Sequence, residues 1–188
     1  MFHIRFKITV FLFFFLGITA GILNAQQTRI ELTSKPNPVE DSKQNDPAVP
    51  DVYSIESSFE KVLIFRFKYG TDLLAGLEKI VREDNIKNAV ILAGTGSALS
   101  YHYHAVSNVS FPTNNVFVKD TLYPSDIVSM NGYIIDGRVH AHITMSDADS
   151  AFGGHLEPGT KVFTFAIVTV GVLKDGTDLR RIDDKNYR

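Results

Sequence analysis

The chain of 188 residues contains no cysteine. This absence excludes disulfide bonds and thiolate chemistry, and it also excludes the modified cysteine that anchors bacterial lipoproteins. The folded part must therefore be stabilised by its apolar core or by oligomerisation. The composition is sufficient for such a core, because 44% of the residues are hydrophobic and 21% are charged, as in globular proteins.

Common signatures of nucleotide and acyl-transfer chemistry are also missing. The sequence has no Walker phosphate loop and no Gly-x-Ser-x-Gly elbow. Gly94-Thr95-Gly96 follows a predicted strand, but position 99 is Leu and no helical pattern follows it. A dinucleotide-binding fold is therefore disfavoured.

The first 25 residues have the pattern of a secretory signal peptide. Arg5 and Lys7 precede an uncharged apolar stretch, 8–23, which is followed by Asn24, Ala25 and two polar glutamines. This order is typical of a cleaved export signal. The alternative is an uncleaved membrane anchor, although the stretch is short for spanning a bilayer. We therefore expect an exported protein, periplasmic or secreted, from a bacterium.

The net charge disfavours binding to nucleic acid. The whole chain has a formal charge of −2, and residues 1–25 contain two basic and no acidic residues, so the mature chain has a charge of −4. Basic side chains supply most of the non-specific affinity for DNA. The electrostatics therefore give no support to a DNA-binding function.

Two segments flank the predicted folded part. Residues 26–56 contain four of the seven prolines among polar residues, which predicts a disordered linker. The last fifteen residues, 174–188, are polar and predict a frayed tail. The folded domain is therefore expected at residues 57–173.

Within that domain, one helix is followed by many strands. Phe59–Tyr69 alternates and is rich in β-forming residues, which predicts a strand. Thr71 or Asp72 begins a helix with one apolar face, and Asn85 marks its end. Further strands are predicted at 88–93, 98–109, 115–122, 127–136, 138–145 and 161–173, with a turn at 94–97 and a hairpin at 136–137. This order predicts an α+β fold, mainly an antiparallel sheet packed on one main helix.

Three histidines form a candidate metal site. His140 and His142 alternate on a predicted strand and therefore project from the same face. His155 follows two glycines in a predicted loop, and the glycines allow its backbone to approach the site closely. Imidazole nitrogens are preferred ligands of zinc and related divalent metals. The alternative is that these are ordinary strand and loop histidines.

Other polar residues are weaker candidates for the same site. His102 and His104 form a second alternating pair, which either joins the site across the sheet or lies on a solvated face with tyrosines packed below. Glu157 lies beside the histidine loop and is the candidate for proton transfer if the protein is catalytic. Asp147 and Asp149 are metal ligands, a general base, or simply solvated acids in a turn.

The order of these motifs resembles the PPC (plant and prokaryote conserved) domain, which also occurs in AT-hook proteins. The resemblance covers about residues 57–173 and consists of Gly94-Thr95-Gly96-Ser97, Asp136-Gly137, the His-x-His pair at 140–142, and Gly153-Gly154-His155-Leu156 with Gly159. It implies an α+β subunit that assembles as a homotrimer. It also implies that His140, His142 and His155 gather around a metal.

Prokaryotic members of this family are often labelled as DNA-binding proteins, so the resemblance also implies a DNA-binding function. In the plant proteins DNA binding comes from a separate AT-hook with an Arg-Gly-Arg-Pro core, which this sequence lacks. The cupin fold is a structural competitor, but it requires Asp147 to replace a glutamate and has no counterpart of the helix. Three functions remain: an exported domain that binds a metal, with or without a small molecule, a DNA-binding protein, and a trimeric scaffold without chemistry.

Overall fold

The computed structural model describes residues 30–38 and 43–182, so the predicted signal peptide lies outside the described residues. Within them the chain forms one α-helix, nine strands and a short 3-10 turn at Arg180–Ile182. In chain order these elements are β1 (Glu31–Pro36), β2 (Phe59–Lys68), α1 (Leu73–Glu83), β3 (Ala89–Ala98), β4 (Tyr101–Val106), β5 (Asn114–Asp120), β6 (Ser125–Ile135), β7 (Arg138–Ser146), β8 (Ala151–Leu156) and β9 (Val162–Leu173). No helix among the described residues is long and apolar enough to cross a membrane.

All nine strands belong to one sheet, in the order β1-β5-β4-β8-β7-β6-β3-β9-β2. Every pairing in it is antiparallel. The hairpin between β6 and β7 turns at Asp136 and Gly137, which have φ values of 48° and 78°. Two successive positive φ values match the twist of the flanking strands. The sequence prediction of a mainly antiparallel α+β fold is confirmed.

One helix covers one face of this sheet. Asp72 caps α1, and its carboxylate accepts a hydrogen bond from the Ala75 amide at 3.1 Å. Leu73, Leu77 and Val81 are spaced along one helical face and are buried in the core. On β7 the alternate residues Ala141, Ile143 and Met145 are buried in the same core. Because side chains alternate along a strand, the histidines of β7 lie on the opposite, helix-free face.

The structure differs from the sequence prediction in three segments. The Gly94–Ser97 turn lies inside β3, and the predicted loop around Gly153 and Gly154 is strand β8. Glu31–Pro36 forms strand β1 within the segment predicted as a disordered linker. All six residues of β1 are exposed, and the strand is held by its pairing with β5. A composition argument misses such a strand because it buries almost no apolar surface.

The segment predicted as a frayed tail also contributes to the core. Leu179 is buried and packs with Ile135 and Leu173, with Ile55 and Val90 beside them. Asn88 donates a side-chain hydrogen bond to the carbonyl oxygen of Thr177 at 2.7 Å. The segment 174–188 is polar in composition, but its Leu179 is buried and holds the segment against the sheet.

Asp147 organises the turn between β7 and β8. Its carboxylate accepts hydrogen bonds from the amides of Asp149 and Ser150, at 2.8 and 2.7 Å, and from the hydroxyl of Tyr123. The Tyr123 hydroxyl first, and then the two amides, lower the pKa of Asp147 to about 2. Asp147 is therefore a structural acid and not a member of the histidine site.

Replacing Tyr123 by Phe should raise the pKa of Asp147 toward its ordinary value of 3.8, because the largest stabilising hydrogen bond is removed. In the wild type the folded pKa is depressed, so Asp147 stabilises the fold above its unfolded pKa, and this contribution is lost as the pH falls through about 2. Carboxyl NMR titration measures the shift. Asp178 is the internal control, since its pKa of about 2 depends on Arg180. An Asp147 pKa that stays near 2 would contradict this account.

Candidate metal centre

Three adjacent strands bring histidines into one row on the helix-free face. In the register of the sheet, His155 of β8 lies directly opposite His142 of β7 on one side and His104 of β4 on the other. Directly opposed side chains in antiparallel strands have their Cβ atoms about 4.5–5.5 Å apart. His140 lies two residues before His142 and projects from the same face. The sheet thus places four imidazoles side by side.

Two glycines make this arrangement possible. A Cβ at Gly153 would overlap the carbonyl oxygen of Ile143 on β7, and one at Gly154 would overlap the carbonyl oxygen of His104 on β4. Strand β8 therefore fits between its neighbours only with glycine at both positions. The glycines set the position of His155 by allowing close packing of the backbone, and not by forming the predicted loop.

The imidazoles are close enough to share one ion. The ring of His155 lies 4.7 Å from that of His140 and 5.3 Å from that of His142, nearly perpendicular to both. One ligand atom from each of these three side chains lies within 4.8 Å of the others. A tetrahedral zinc ion with Zn–N bonds of about 2.0–2.1 Å separates its ligands by about 3.4 Å. Modest side-chain rotation is sufficient to close the site.

A second group of ligand atoms shares His155. His104, His155 and Glu157 also meet within 4.8 Å. The Nδ1 of His104 lies 2.6 Å from Oε1 of Glu157, and both side chains are about one fifth exposed. The ring of His104 stacks on that of His155 with a centroid distance of 4.6 Å. A carboxylate paired with one imidazole nitrogen fixes the orientation of the ring and makes it more basic.

The environment keeps the central imidazole neutral. Burial first, and then the positive charges that His104, His140 and His142 carry when protonated and that of Arg138, lower the pKa of His155 to about 3. Burial and His104 also lower the pKa of His142. A neutral imidazole offers the lone pair that a metal requires. The donor set therefore fits a divalent transition metal such as zinc.

The structure separates the two members of the weaker histidine pair. His104 joins the row, whereas His102 lies apart, with its Nδ1 2.7 Å from the carbonyl oxygen of Pro158. On the other side of β4, Tyr101 and Tyr103 pack against the core, as the alternation predicts. Glu157 contacts His104 and is therefore part of the same cluster. The sequence named the members of the cluster and left open whether the second histidine pair joins it across the sheet, but it did not show the row across three strands.

Sequence reasoning also missed a cavity beside His140. It has a volume of about 1010 Å³ on the helix-free face. Its lining comes from separate parts of the chain, which are Tyr53, Ile55, Ser57, Ser58, Phe59, Val90, Tyr133, Ile135, His140, Leu173, Leu179 and Ile182. The pairing of β7, β6, β3, β9 and β2 and the placement of the two flanking segments bring these residues together. No motif in the sequence indicates them.

Comparison with solved structures identifies the fold. The chain is 22% identical to a metal-containing protein from Archaeoglobus fulgidus, with a TM-score of 0.54 over 68% of this chain and 88% of that one. It is also 22% identical to a plant- and prokaryote-conserved protein from Pyrococcus horikoshii, with a TM-score of 0.53 over 67% and 87% of the two chains. At this identity the similarity establishes the fold alone.

Curated relatives match over part of this chain. The bifunctional protein GlmU from two Synechococcus strains is 28% and 27% identical to this chain over 121 residues. These residues are 64% of this chain but 18% of each relative, so the chain spans less than a fifth of the length of these relatives. The family model of the Plants and Prokaryotes Conserved (PCC) domain matches residues 54–174, which confirms the resemblance seen in the sequence. The chain belongs to the Plants and Prokaryotes Conserved domain family.

Proposed function

We propose that this domain binds one divalent transition metal ion, zinc or a closely related metal, through His140, His142 and His155. The observation that carries the proposal is the convergence of three imidazoles, from two paired strands, within 4.8 Å. The lowered pKa of His155 supports it, because a neutral ligand needs no deprotonation at physiological pH. Zinc held by these three side chains would leave a position for a small molecule.

A bound ion of this kind would supply Lewis acidity to an oxygen-containing ligand. The role of the chain is then to hold a proton acceptor beside it. Nδ1 of His104 lies 2.6 Å from Oε1 of Glu157, and in the tautomer whose Nδ1 donates to this carboxylate the lone pair of the ring is on Nε2. We assign His104 Nε2 as the proton acceptor and Glu157 as a positioning residue that stabilises the protonated ring. This assignment changes the role that the sequence suggested for Glu157.

We further propose that the exported domain assembles as a homotrimer through its helix-free face. The half of this face formed by β2, β3, β6 and β9 exposes large apolar side chains, which are 39 to 71% accessible: Val62, Ile64, Leu92, Val128, Phe163 and Phe165. A contiguous apolar patch on a folded domain indicates an interaction surface. Because the family resemblance implies a homotrimer, we assign a second copy of this chain as the partner that covers the patch. The signal-like pattern in residues 1–25 supports export.

The metal proposal predicts about one zinc per chain in protein purified from zinc-supplemented cells, measured by plasma mass spectrometry. Replacing His155 by Ala should reduce the metal content more than tenfold, because it removes the ligand at the centre of the row. His102→Ala is the matched control, since His102 lies on the neighbouring strand outside the cluster and should leave the content unchanged. Wild-type protein without stoichiometric metal, or equal metal in His155→Ala, would refute the proposal.

Native mass spectrometry of protein secreted by a bacterial host tests assembly and export together. The expected species contains three chains, and each chain begins at Gln26 because residues 1–25 have been removed. An assembly mass equal to a single chain would contradict the trimer. Chains that retain residues 1–25 would contradict cleavage. Ile64→Glu places a charge on the proposed contact face, and it should shift the mass toward the monomer.

A further inference from the structure

The cavity beside His140 has the properties of a ligand pocket. Its floor is the helix-free face of the sheet, where Tyr133 of β6 lies directly opposite His140 of β7, and Ile135 lies opposite Arg138. Tyr133 is 43% exposed although it lines the cavity. Pockets of several hundred cubic ångströms, largely apolar with few polar groups, are typical of small-molecule sites.

The walls of the cavity lie partly outside the family domain. The family match covers residues 54–174, whereas Tyr53, Leu179 and Ile182 line the cavity from beyond both limits. The two walls are tied together by a 2.7 Å hydrogen bond between the hydroxyl groups of Ser57 and Thr177. The buried Leu179 fixes the second wall against the sheet. The shape of the pocket is therefore a property of this chain and not of the domain fold alone.

The distribution of charge indicates what the pocket binds. Among the described residues that line it, none is acidic. The guanidinium of Arg181 lies over the ring of Tyr53 at 4.2 Å, so one wall of the cavity carries a positively charged side chain. Arg138 lies two residues before His140 on β7 and projects from the same face.

We propose that this cavity binds a small carboxylic acid with an apolar body. The body lies against Ile135, Leu179 and Ile182, and the carboxylate points past His140 toward the histidine row. The placement of the carboxylate depends on the proposed metal site, because an ion held there would supply a positive charge at that end of the pocket. The apolar part of the pocket is independent of the metal.

Isothermal titration of the zinc-loaded protein with octanoate tests the proposal. Octanoate should bind more than a hundredfold more tightly than acetate, because each buried methylene contributes about fourfold. Ile182→Glu adds a negative charge at the rim, where the side chain is 38% exposed. It should weaken octanoate and 1-octanol alike, at least tenfold, because Ile182 contacts the apolar body that the two ligands share. Val109→Glu is the matched control on a fully exposed loop residue, and it should change neither affinity.

The zinc content of every sample is measured at the same time, so that the two proposals fail separately. His155→Ala should lose zinc and weaken octanoate, while 1-octanol binds as in the wild type, because His155 does not line the cavity. Octanoate that binds no better than acetate to zinc-loaded protein would overturn the ligand proposal alone. Octanoate affinity unaffected by Ile182→Glu would also overturn it. Wild-type protein that takes up no stoichiometric zinc but still binds octanoate more tightly than acetate would overturn the metal proposal alone.

Discussion

The candidate site depends on the insertion of β8 between β7 and β4. Because Gly153 and Gly154 have no side chains, the backbones of the neighbouring strands approach closely on both sides. This insertion brings His155 directly opposite both His142 and His104. Without it, β4 and β7 would lack the strand that joins them, and their histidines would not share one row. The position of one short strand therefore determines the chemistry of the whole face.

The two faces of the sheet have different roles. The face under α1 is a closed apolar core in which Leu73, Leu77 and Met145 are fully buried. The helix-free face carries the histidine row on β4, β7 and β8, and exposed apolar side chains on the strands from β6 to β2. The cavity lies where these two halves meet, at His140 and Tyr133. This arrangement places a metal-binding group, a pocket and a contact surface on one continuous face.

Local patterns predicted the elements that depend on local physics. The alternation in β2 and β7, the apolar stripe of α1 and the turn at Asp136-Gly137 each follow from side-chain spacing or backbone preference. Strand β8 could not be predicted, since a Gly-Gly pair has low strand propensity and forms a strand here only because two partners enclose it. Strand β1 was missed for the related reason that backbone pairing holds it.

The candidate site was predicted only in part, because its members meet through the order of strands in the sheet. His140 and His142 are visible as a pair in the sequence, since residues two apart on a strand share a face. The contact of His104 with Glu157 joins residues 53 positions apart and follows from the pairing of β4 with β8. The separation of His102 from the row has the same origin. The spacing of residues in the sequence identifies the candidate site residues, and the register between strands determines which of them lie close together.

The most direct test of the central claim, that three histidines from β7 and β8 bind one metal, is the zinc K-edge X-ray absorption spectrum of the loaded protein. The account predicts a first shell of nitrogen and oxygen atoms at about 2.0–2.1 Å. At least three of these ligands should show the outer-shell scattering of imidazole rings. A shell of oxygen ligands alone, without imidazole scattering, would contradict it.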